Sequence, residues 1–459
     1  MGDRQAHIVI AGGGASGVLL ACHLLRDGGD NIRITLIEKR DSVGLGTAYS
    51  TSHPRHLLNV RASNMSAFAD DPQHFQRWLS NESALVERDQ PAALVFAPRN
   101  LYGRYLRSLI DTFDRDRRRL TTVHDEVTEI MPEEEGVRVR TAAGETTKAD
   151  VAVLATGFSE PQHDDQVIRS PWSQPVAQGL ASDAAVLILG TGLTMVDLVI
   201  ELRSAGHTGP VYALSRRGLL SQTHRLSAPA ALDAAEVPFG TSILRLWMWL
   251  RRLAENEEDA GRDWRGAIDA IRPYTAELWR QLPLESKRRF LRHARPWWDI
   301  HRHRMAPSIS AEIASACAWN HLQILAAKVL SISTADGKAQ VTYRRRGDGE
   351  TGSLEVDRVF PCMGVSTNPA TSGNALVQSL VAQGSARPDE LGLGLDITDA
   401  CELRAADGEA SERLFAVGPI TRGAYWEMIA VPDIRLQCAG LAKELLRRLA
   451  HGPGMRLAG

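Results

Sequence analysis

Gly12-Gly13-Gly14-Ala15-Ser16-Gly17 has the spacing GxGxxG, and the pattern partly returns 178 residues later as Gly190-Thr191-Gly192-Leu193-Thr194-Met195. A turn of this kind can hold a pyrophosphate. Its first glycine permits a tight turn, the second lets backbone N–H groups approach the phosphates, and the third lets a helix lie close on its strand. The helix after the turn aims its positive end at the anion. The second copy keeps two glycines and has Met195 in place of the third.

The strand ends beyond the two turns differ in charge. Glu38 closes the apolar run Ile32 to Ile37, 21 residues after Gly17. A carboxylate there accepts hydrogen bonds from ribose hydroxyls and repels a 2′-phosphate. The matching run Val211 to Leu214 closes on Ser215-Arg216-Arg217. Guanidinium groups are planar forks for phosphate oxygens, so this end favours NADP over NAD. Two solvated surface arginines are the plainer alternative. Taken together, the acidic and the basic turn imply an electron path from NADPH to a flavin, with FAD expected on the first and NADPH on the second.

The elements needed to position these groups are legible. His7 to Ala11 reads as a short strand, Val18 to Leu25 is apolar at helical spacing, and Ile32 to Ile37 is β-branched and alternating. Ala185 to Leu189, Val196 to Leu202 and Val211 to Leu214 repeat that order. Residues 121–147 carry short alternating runs that fit a small β-meander. Val151 to Ala155 then closes on Thr156-Gly157, with a turn at Phe158-Ser159-Glu160-Pro161. Asp357 to Phe360 and Leu414 to Val417 read as later strands, and Asp433 to Leu449 as a last helix. In two-domain flavoproteins the glycine after such a last strand, here Gly418, lies against the FAD diphosphate, and the next helix points its N-terminus at the flavin.

The fold class expected is α/β, with two Rossmann-like dinucleotide-binding domains and a helical insertion. Residues 1–160 form the first part of the FAD domain, 161–354 the NADPH domain and 355–459 the second part of the FAD domain. The insertion falls at about 228–325. Six of the chain's ten tryptophans (247, 249, 264, 279, 297 and 298) lie there before residue 300, and Trp319 comes after them. They suit a structural core or a cap over a substrate pocket.

Composition narrows the classes. At 459 residues the chain exceeds one comfortable core. Its formal net charge of −2 offers no basic surplus for nucleic acid or an anionic membrane. No apolar run approaches the roughly 20 residues of a membrane span. Ile8-Val9-Ile10, with glycines immediately after it, reads as a strand rather than a leader, so a cytoplasmic protein is expected. The five cysteines (22, 317, 362, 401 and 438) form no CxxC pair, so neither a zinc ribbon nor a redox dithiol is expected.

Further stretches carry a family resemblance. They are Gly44-Leu45-Gly46-Thr47-Ala48-Tyr49; His56-Leu57-Leu58-Asn59-Val60 through Met65-Ser66-Ala67-Phe68; Ser215 to Leu220; Arg289 to His293 with Trp298 to Pro307; and Gly418-Pro419 through Trp426-Glu427. With the two glycine turns, they make the chain resemble the bacterial FAD/NAD(P)-binding proteins similar to YdhS, whose relatives include flavin-dependent amine and amino-acid N-monooxygenases. The resemblance implies FAD contacts from Gly44–Tyr49 and from Asn59–Met65 near the isoalloxazine. Gly418-Pro419 replaces the Gly-Asp of many flavoproteins, and Cys362-Met363-Gly364 the usual Cys-Thr-Gly. The FAD contacts expected are therefore Gly12, Gly14, Ser16, Gly17, Glu38, Gly46, Tyr49, Asn59, Met65, Thr156, Gly157 and Gly418. Those for NADPH are Gly190, Gly192, Thr194, Arg216 and Arg217.

Catalytic candidates are Asn59, Glu427 and His56. Asn59 suits a hydrogen bond to the flavin edge or to bound oxygen, or the holding of a turn. Glu427, beside Tyr425-Trp426, suits catalytic positioning or lid packing. His53 and His56 are either general acids or solvent-facing loop histidines. His301-Arg302-His303-Arg304 is a structural turn or an anion patch; with no accompanying ligand set, a metal is not expected. The expected reaction passes hydride from NADPH to FAD, then oxygen through a flavin C4a-hydroperoxide to the nitrogen of an amine or amino acid. A plain NADPH-dependent flavin reductase and a non-catalytic flavin redox sensor are the alternatives.

Overall fold

The structure is a computed structural model that describes residues 5–82, 94–114, 118–157, 165–173, 175–364, 368–369 and 372–451. The turn expected at Phe158-Ser159-Glu160-Pro161 lies outside them. The chain divides into two compact units, one of Met1–Pro54, Val60–Glu160 and Ser366–Gly459, the other of Arg55–Asn59 and Pro161–Val365.

The first unit opens with β1 (Ala6–Ala11), the helix Ala15–Asp27 and β2 (Ile32–Glu38). Ile8, Val9 and Ile10 are all buried, as befits a central parallel strand covered on both faces. β3 (Leu120–His124) runs parallel to β2, from Ile34 opposite Leu120 to Glu38 opposite His124. This corrects the single meander expected over 121–147. The outer edge of β2 takes β3 as its parallel partner. Only β4 (Val127–Glu133), β5 (Gly136–Thr141) and β6 (Thr146–Ala149) form the antiparallel sheet. β7 (Val151–Leu154) then returns beside β1.

The second unit repeats the opening plan with β8 (Val186–Leu189), the helix Leu193–Ser204 and β9 (Val211–Ser215). Helices come next at Ile243–Asp259, Arg265–Ala270, Thr275–Gln281, Leu284–Arg289, Arg295–Arg302 and Pro307–Ala318. Trp279 and Trp298 are buried among them, whereas Trp319 is exposed. β10 (Leu322–Ala335) is one strand with two partners. Leu322 to Ala326 pair parallel with β9, and Ala327 to Ala335 pair antiparallel with β11 (Lys338–Arg345). β12 (Thr351–Val356) extends that hairpin, and β13 (Arg358–Pro361) pairs parallel with β8. The resulting order is β12-β11-β10-β9-β8-β13. β13 thus continues this sheet beyond the boundary expected at 354, because its Val359 and Phe360 are buried in the sheet.

β14 (Glu402–Arg404) and β15 (Ala410–Ala416) complete the first unit, whose sheet reads β14-β15-β7-β1-β2-β3. The helix Val431–His451 packs on the helix Ala15–Asp27. The architecture is α/β, with one βαβ nucleotide-type turn in each unit. Among the described residues no helix is long and apolar enough to cross a membrane.

Candidate dinucleotide-binding sites

Each turn is built by a glycine in a backbone region closed to other residues. Gly12 has φ +107° and Gly190 has φ +121°. A Cβ on Gly12 would lie 2.5 Å from the Ala155 carbonyl oxygen, and one on Gly190 would collide with that of Cys362. Both glycines donate their N–H across to the next strand at 2.8 Å, Gly12 to Ile37 and Gly190 to Leu214. This shared register makes Glu38 and Ser215 equivalent residues.

In the first unit the loop Gly44–Tyr49 is tied onto the turn. Gly44 donates to the Gly13 carbonyl at 2.7 Å, and a Cβ on Gly14 would meet the Gly46 Cα at 3.5 Å. The Tyr49 ring packs on Tyr102, with centroids 4.9 Å apart. Ser16, buried on the first turn of its helix, faces Gly418, where a side chain would collide with its hydroxyl. Gly418 in turn donates to Gln437 Oε1 at 2.8 Å, so the last helix holds it in place. Gly14 caps the helix with no side-chain acceptor, and no acid lies in the first turn. That leaves the helix N-terminal amides for an anion. Thr156 Oγ1 is buried with no hydrogen-bond partner among the described residues. An orphaned hydroxyl beside an uncapped helix end fits a polar ligand.

Glu38 is 8% exposed. Its two oxygens accept N–H groups, from Gly13 at 2.7 Å and Arg40 at 3.0 Å. A carboxylate has about four acceptor positions, so capacity remains for ribose hydroxyls. Met65, also in the first unit, is buried, its N–H bonded to the Ala62 carbonyl at 3.1 Å.

In the second unit Gly192 caps the helix Leu193–Ser204, again without side-chain acceptor or first-turn acid. Thr194 is half-buried in that first turn. Thr191 Oγ1 donates to the Leu219 carbonyl at 2.6 Å and lies 3.0 Å from Ser215 Oγ, which also accepts the Gly218 N–H at 3.0 Å. The hydroxyls knit the glycine turn to the loop that carries Arg216 and Arg217. Arg216 is exposed, and Arg217 is half-buried and donates to the His293 carbonyl at 3.3 Å. Burial holds the Arg217 guanidinium below its ordinary value, and the charges of Arg346 and Arg216 push in the same direction. Arg346 was not among the residues expected from sequence. Its only trace there is the run Arg344-Arg345-Arg346, which reveals nothing of what it touches.

The catalytic candidates fall in both units. Glu427 is buried in the first unit, and His56 and Asn59 belong to the second. His56 is not the solvent-facing loop residue that is one reading of it. It is 3% exposed, and its Nε2 donates to the Asp197 carbonyl at 3.1 Å. The Asn59 carbonyl accepts from His224 Nε2 at 2.9 Å. His53, its companion in the general-acid reading, is half-buried. The motif His301–Arg304 forms a structural junction. Arg304 is 2% exposed and grips Asp269 with both Nη atoms, at 3.2 and 2.6 Å. Arg265 and Arg304 lie over Trp264, whose ring also meets that of His301. With its charge spent on Asp269, Arg304 is not an anion patch.

Residues 9–159 match a family model described as FAD-NAD(P)-binding. No curated protein matches the chain. Among solved structures, an ornithine N-hydroxylase of Kutzneria sp. 744 with reduced FAD, NADP+ and L-ornithine aligns with TM-score 0.65 at 14% identity, covering 97% of this chain and 99% of that one. The FAD-bound cadaverine monooxygenase of desferrioxamine biosynthesis from Erwinia amylovora aligns with TM-score 0.66 at 12% identity, covering 99% and 97%. A bacillithiol disulfide reductase from Staphylococcus aureus aligns with TM-score 0.54 at 15% identity, covering 97% and 99%. The likeness is one of fold: a single α/β arrangement runs through proteins named for N-hydroxylation, monooxygenation and disulfide reduction.

Proposed function

We propose that this chain is an FAD-dependent oxidoreductase that draws on NADPH, and that it is a monooxygenase acting on the nitrogen of a small amine or amino acid. The observation that carries the reading is the equivalence of Glu38 and Ser215. One turn ends in a carboxylate suited to free ribose hydroxyls; the other ends in a hydroxyl with two arginines after it. When bound, FAD and NADPH supply hydride transfer and the activation of oxygen.

The protein's own part is to hold and select. Gly12, Gly14, Ser16 and Gly17 would cradle the FAD pyrophosphate, with Gly46, Tyr49, Thr156, Gly157 and Gly418 around it and Glu38 on the ribose. Gly190, Gly192 and Thr194 would take the NADPH pyrophosphate, and Arg216 and Arg217 its 2′-phosphate. Met65 and Asn59 are assigned to the flavin edge through the resemblance to YdhS-like proteins. Glu427, a buried carboxylate, is the candidate to orient an amine substrate. His56 is assigned to positioning through Asp197. The protein is proposed to act in the cytoplasm.

The fold, shared with the ornithine hydroxylase and the cadaverine monooxygenase, is compatible with oxygenation. The cysteines favour it over disulfide chemistry. The five cysteines are all free, and burial pushes the Cys22 and Cys438 thiols well up, away from the reactive thiolate. The fold shared with the disulfide reductase keeps a second reading in view, an NADPH-dependent flavin reductase with another acceptor.

The test is the visible spectrum of the purified protein before and after anaerobic NADPH, then oxygen uptake with ornithine, lysine or cadaverine. Bleaching by NADPH, then substrate-dependent oxygen uptake and a hydroxylamine product, is expected. Bleaching without a hydroxylated product would favour the reductase, and a colourless protein would remove both readings.

A further inference from the structure

The loop after β9 meets the far hairpin of its own sheet. Gly218 turns against Ala326, where an added Cβ would lie 3.1 Å from the Ala326 Cβ. Ala326 is the last residue of β10 to pair with β9, and Ala327 is the first to pair with β11. The Ala326 carbonyl accepts the Arg346 N–H at 2.8 Å. Arg346 thereby starts the turn from β11 to β12 directly over the loop. Its side chain reaches across, and Nη1 donates to the Arg216 carbonyl at 3.4 Å.

The Arg346 guanidinium thus lies at the Arg216 backbone, and the charges of Arg346 and Arg216 both act on the Arg217 guanidinium. None of Arg216, Arg217 and Arg346 pairs with a carboxylate among the described residues. Elsewhere in this unit arginines find acids readily, as Arg304 does Asp269 and Arg262 does Glu257. A cluster of like charges left uncompensated repels itself and attracts an anion. Each guanidinium has five donors, of which Arg217 and Arg346 each spend one on a carbonyl. Enough remain to surround a phosphate monoester, which offers three acceptor oxygens and close to two charges. The cluster also sits where the strand beyond a glycine turn ends, which is where a dinucleotide's 2′ substituent is read.

We propose that Arg346 is a third binding group for the 2′-phosphate of NADPH, and that the β11–β12 hairpin serves nucleotide selection. The inference rests on the NADPH reading of the second unit. Calorimetric titration of the full chain with 2′,5′-ADP and with 5′-AMP tests both and tells them apart. The wild type should bind 2′,5′-ADP at least about tenfold more tightly than 5′-AMP. Arg346→Gln should weaken 2′,5′-ADP about tenfold and leave 5′-AMP unchanged. Arg344→Gln, two residues away on the same hairpin, should change neither.

Unaltered 2′,5′-ADP affinity in Arg346→Gln, alongside a loss in Arg216→Gln, overturns the proposal and leaves the NADPH reading standing. Equal loss for both nucleotides in Arg346→Gln overturns it too, since the hairpin would then be shaping the site rather than reading phosphate. A wild type that binds the two nucleotides alike overturns the NADPH reading itself.

Discussion

The two glycine turns share a frame and differ in what they leave open. Gly12 and Gly190 make the same 2.8 Å bond to the next strand, and at each an added Cβ would run into a carbonyl. Beyond that the copies diverge. Gly17 lies so close to the Gly12 carbonyl that no side chain fits, whereas Met195 is accommodated and fully buried at the same place. Gly14 is met by Gly46, whereas a Cβ on Gly192 would meet nothing within 4 Å. Glu38 gives way to Ser215 and two arginines. The frame is fixed by backbone sterics and admits little change. Ligand preference sits at a strand end, where charge can be reversed without disturbing the frame.

The sharpest way to break this comparison is at its tightest point. Gly17→Ala drives a methyl into the Gly12 carbonyl, and a loss of more than about 4 kcal/mol is expected, with loss of the yellow colour. Denaturant unfolding and flavin absorbance measure it. A stable, yellow Gly17→Ala protein would mean that the first turn is no tighter than the second.

The next effect separates the helices behind the turns. His23 is buried in the helix Ala15–Asp27, and the helix Leu193–Ser204 contains no histidine. Burial, aided by the Arg26 charge, pushes the His23 pKa down to about 4. The unfolded chain takes a proton near pH 6.5 and the folded chain does not, so stability is intact above about 6.5 and falls as pH drops towards 4. A loss of roughly 3 kcal/mol over that window is expected, and His23→Leu should abolish it. Unfolding curves at several pH values check this, and an unchanged acid slope in His23→Leu would refute it.

Arg216→Ala should raise KM for NADPH roughly 10- to 30-fold and leave that for NADH nearly unchanged. Equal changes would remove the basic half of the comparison. Glu38→Gln should have the smallest effect. The amide keeps its oxygen for the Gly13 N–H, turns a donor towards the Arg40 N–H and loses a charge-assisted bond to ribose, so FAD binding should weaken by about 1 kcal/mol. Apoprotein titration with FAD reads it, and unchanged affinity would mean that Glu38 serves the turn alone.

Much of this was legible in the sequence because it is local. A glycine forced to positive φ must be glycine, so Gly12 and Gly190 announce their turns. The apolar runs of β1 and β8 and the acid or arginines after the second strand stand at fixed distances from them. The features that escaped depend on partners far along the chain. The Asp197 carbonyl that receives His56 Nε2 is 141 residues away, and the Arg216 carbonyl that receives Arg346 is 130 away. β3 was misplaced because a short strand carries no mark of which sheet it will join. The motif His301–Arg304 drew attention by its charge, yet its partner Asp269 and the stacked Trp264 belong to other elements.

β10 has a consequence for engineering. Its N-terminal half finishes one sheet edge and its C-terminal half begins the hairpin that continues it. A register shift between Val329 and Ser331 bends the strand within its hairpin half. The hairpin cannot be trimmed cleanly. Removing β11 and β12 would strip one flank of a long strand of its partner, and bare strand edges recruit other chains. Shortened versions of this protein should therefore fail first by clumping, before any catalytic defect can be measured.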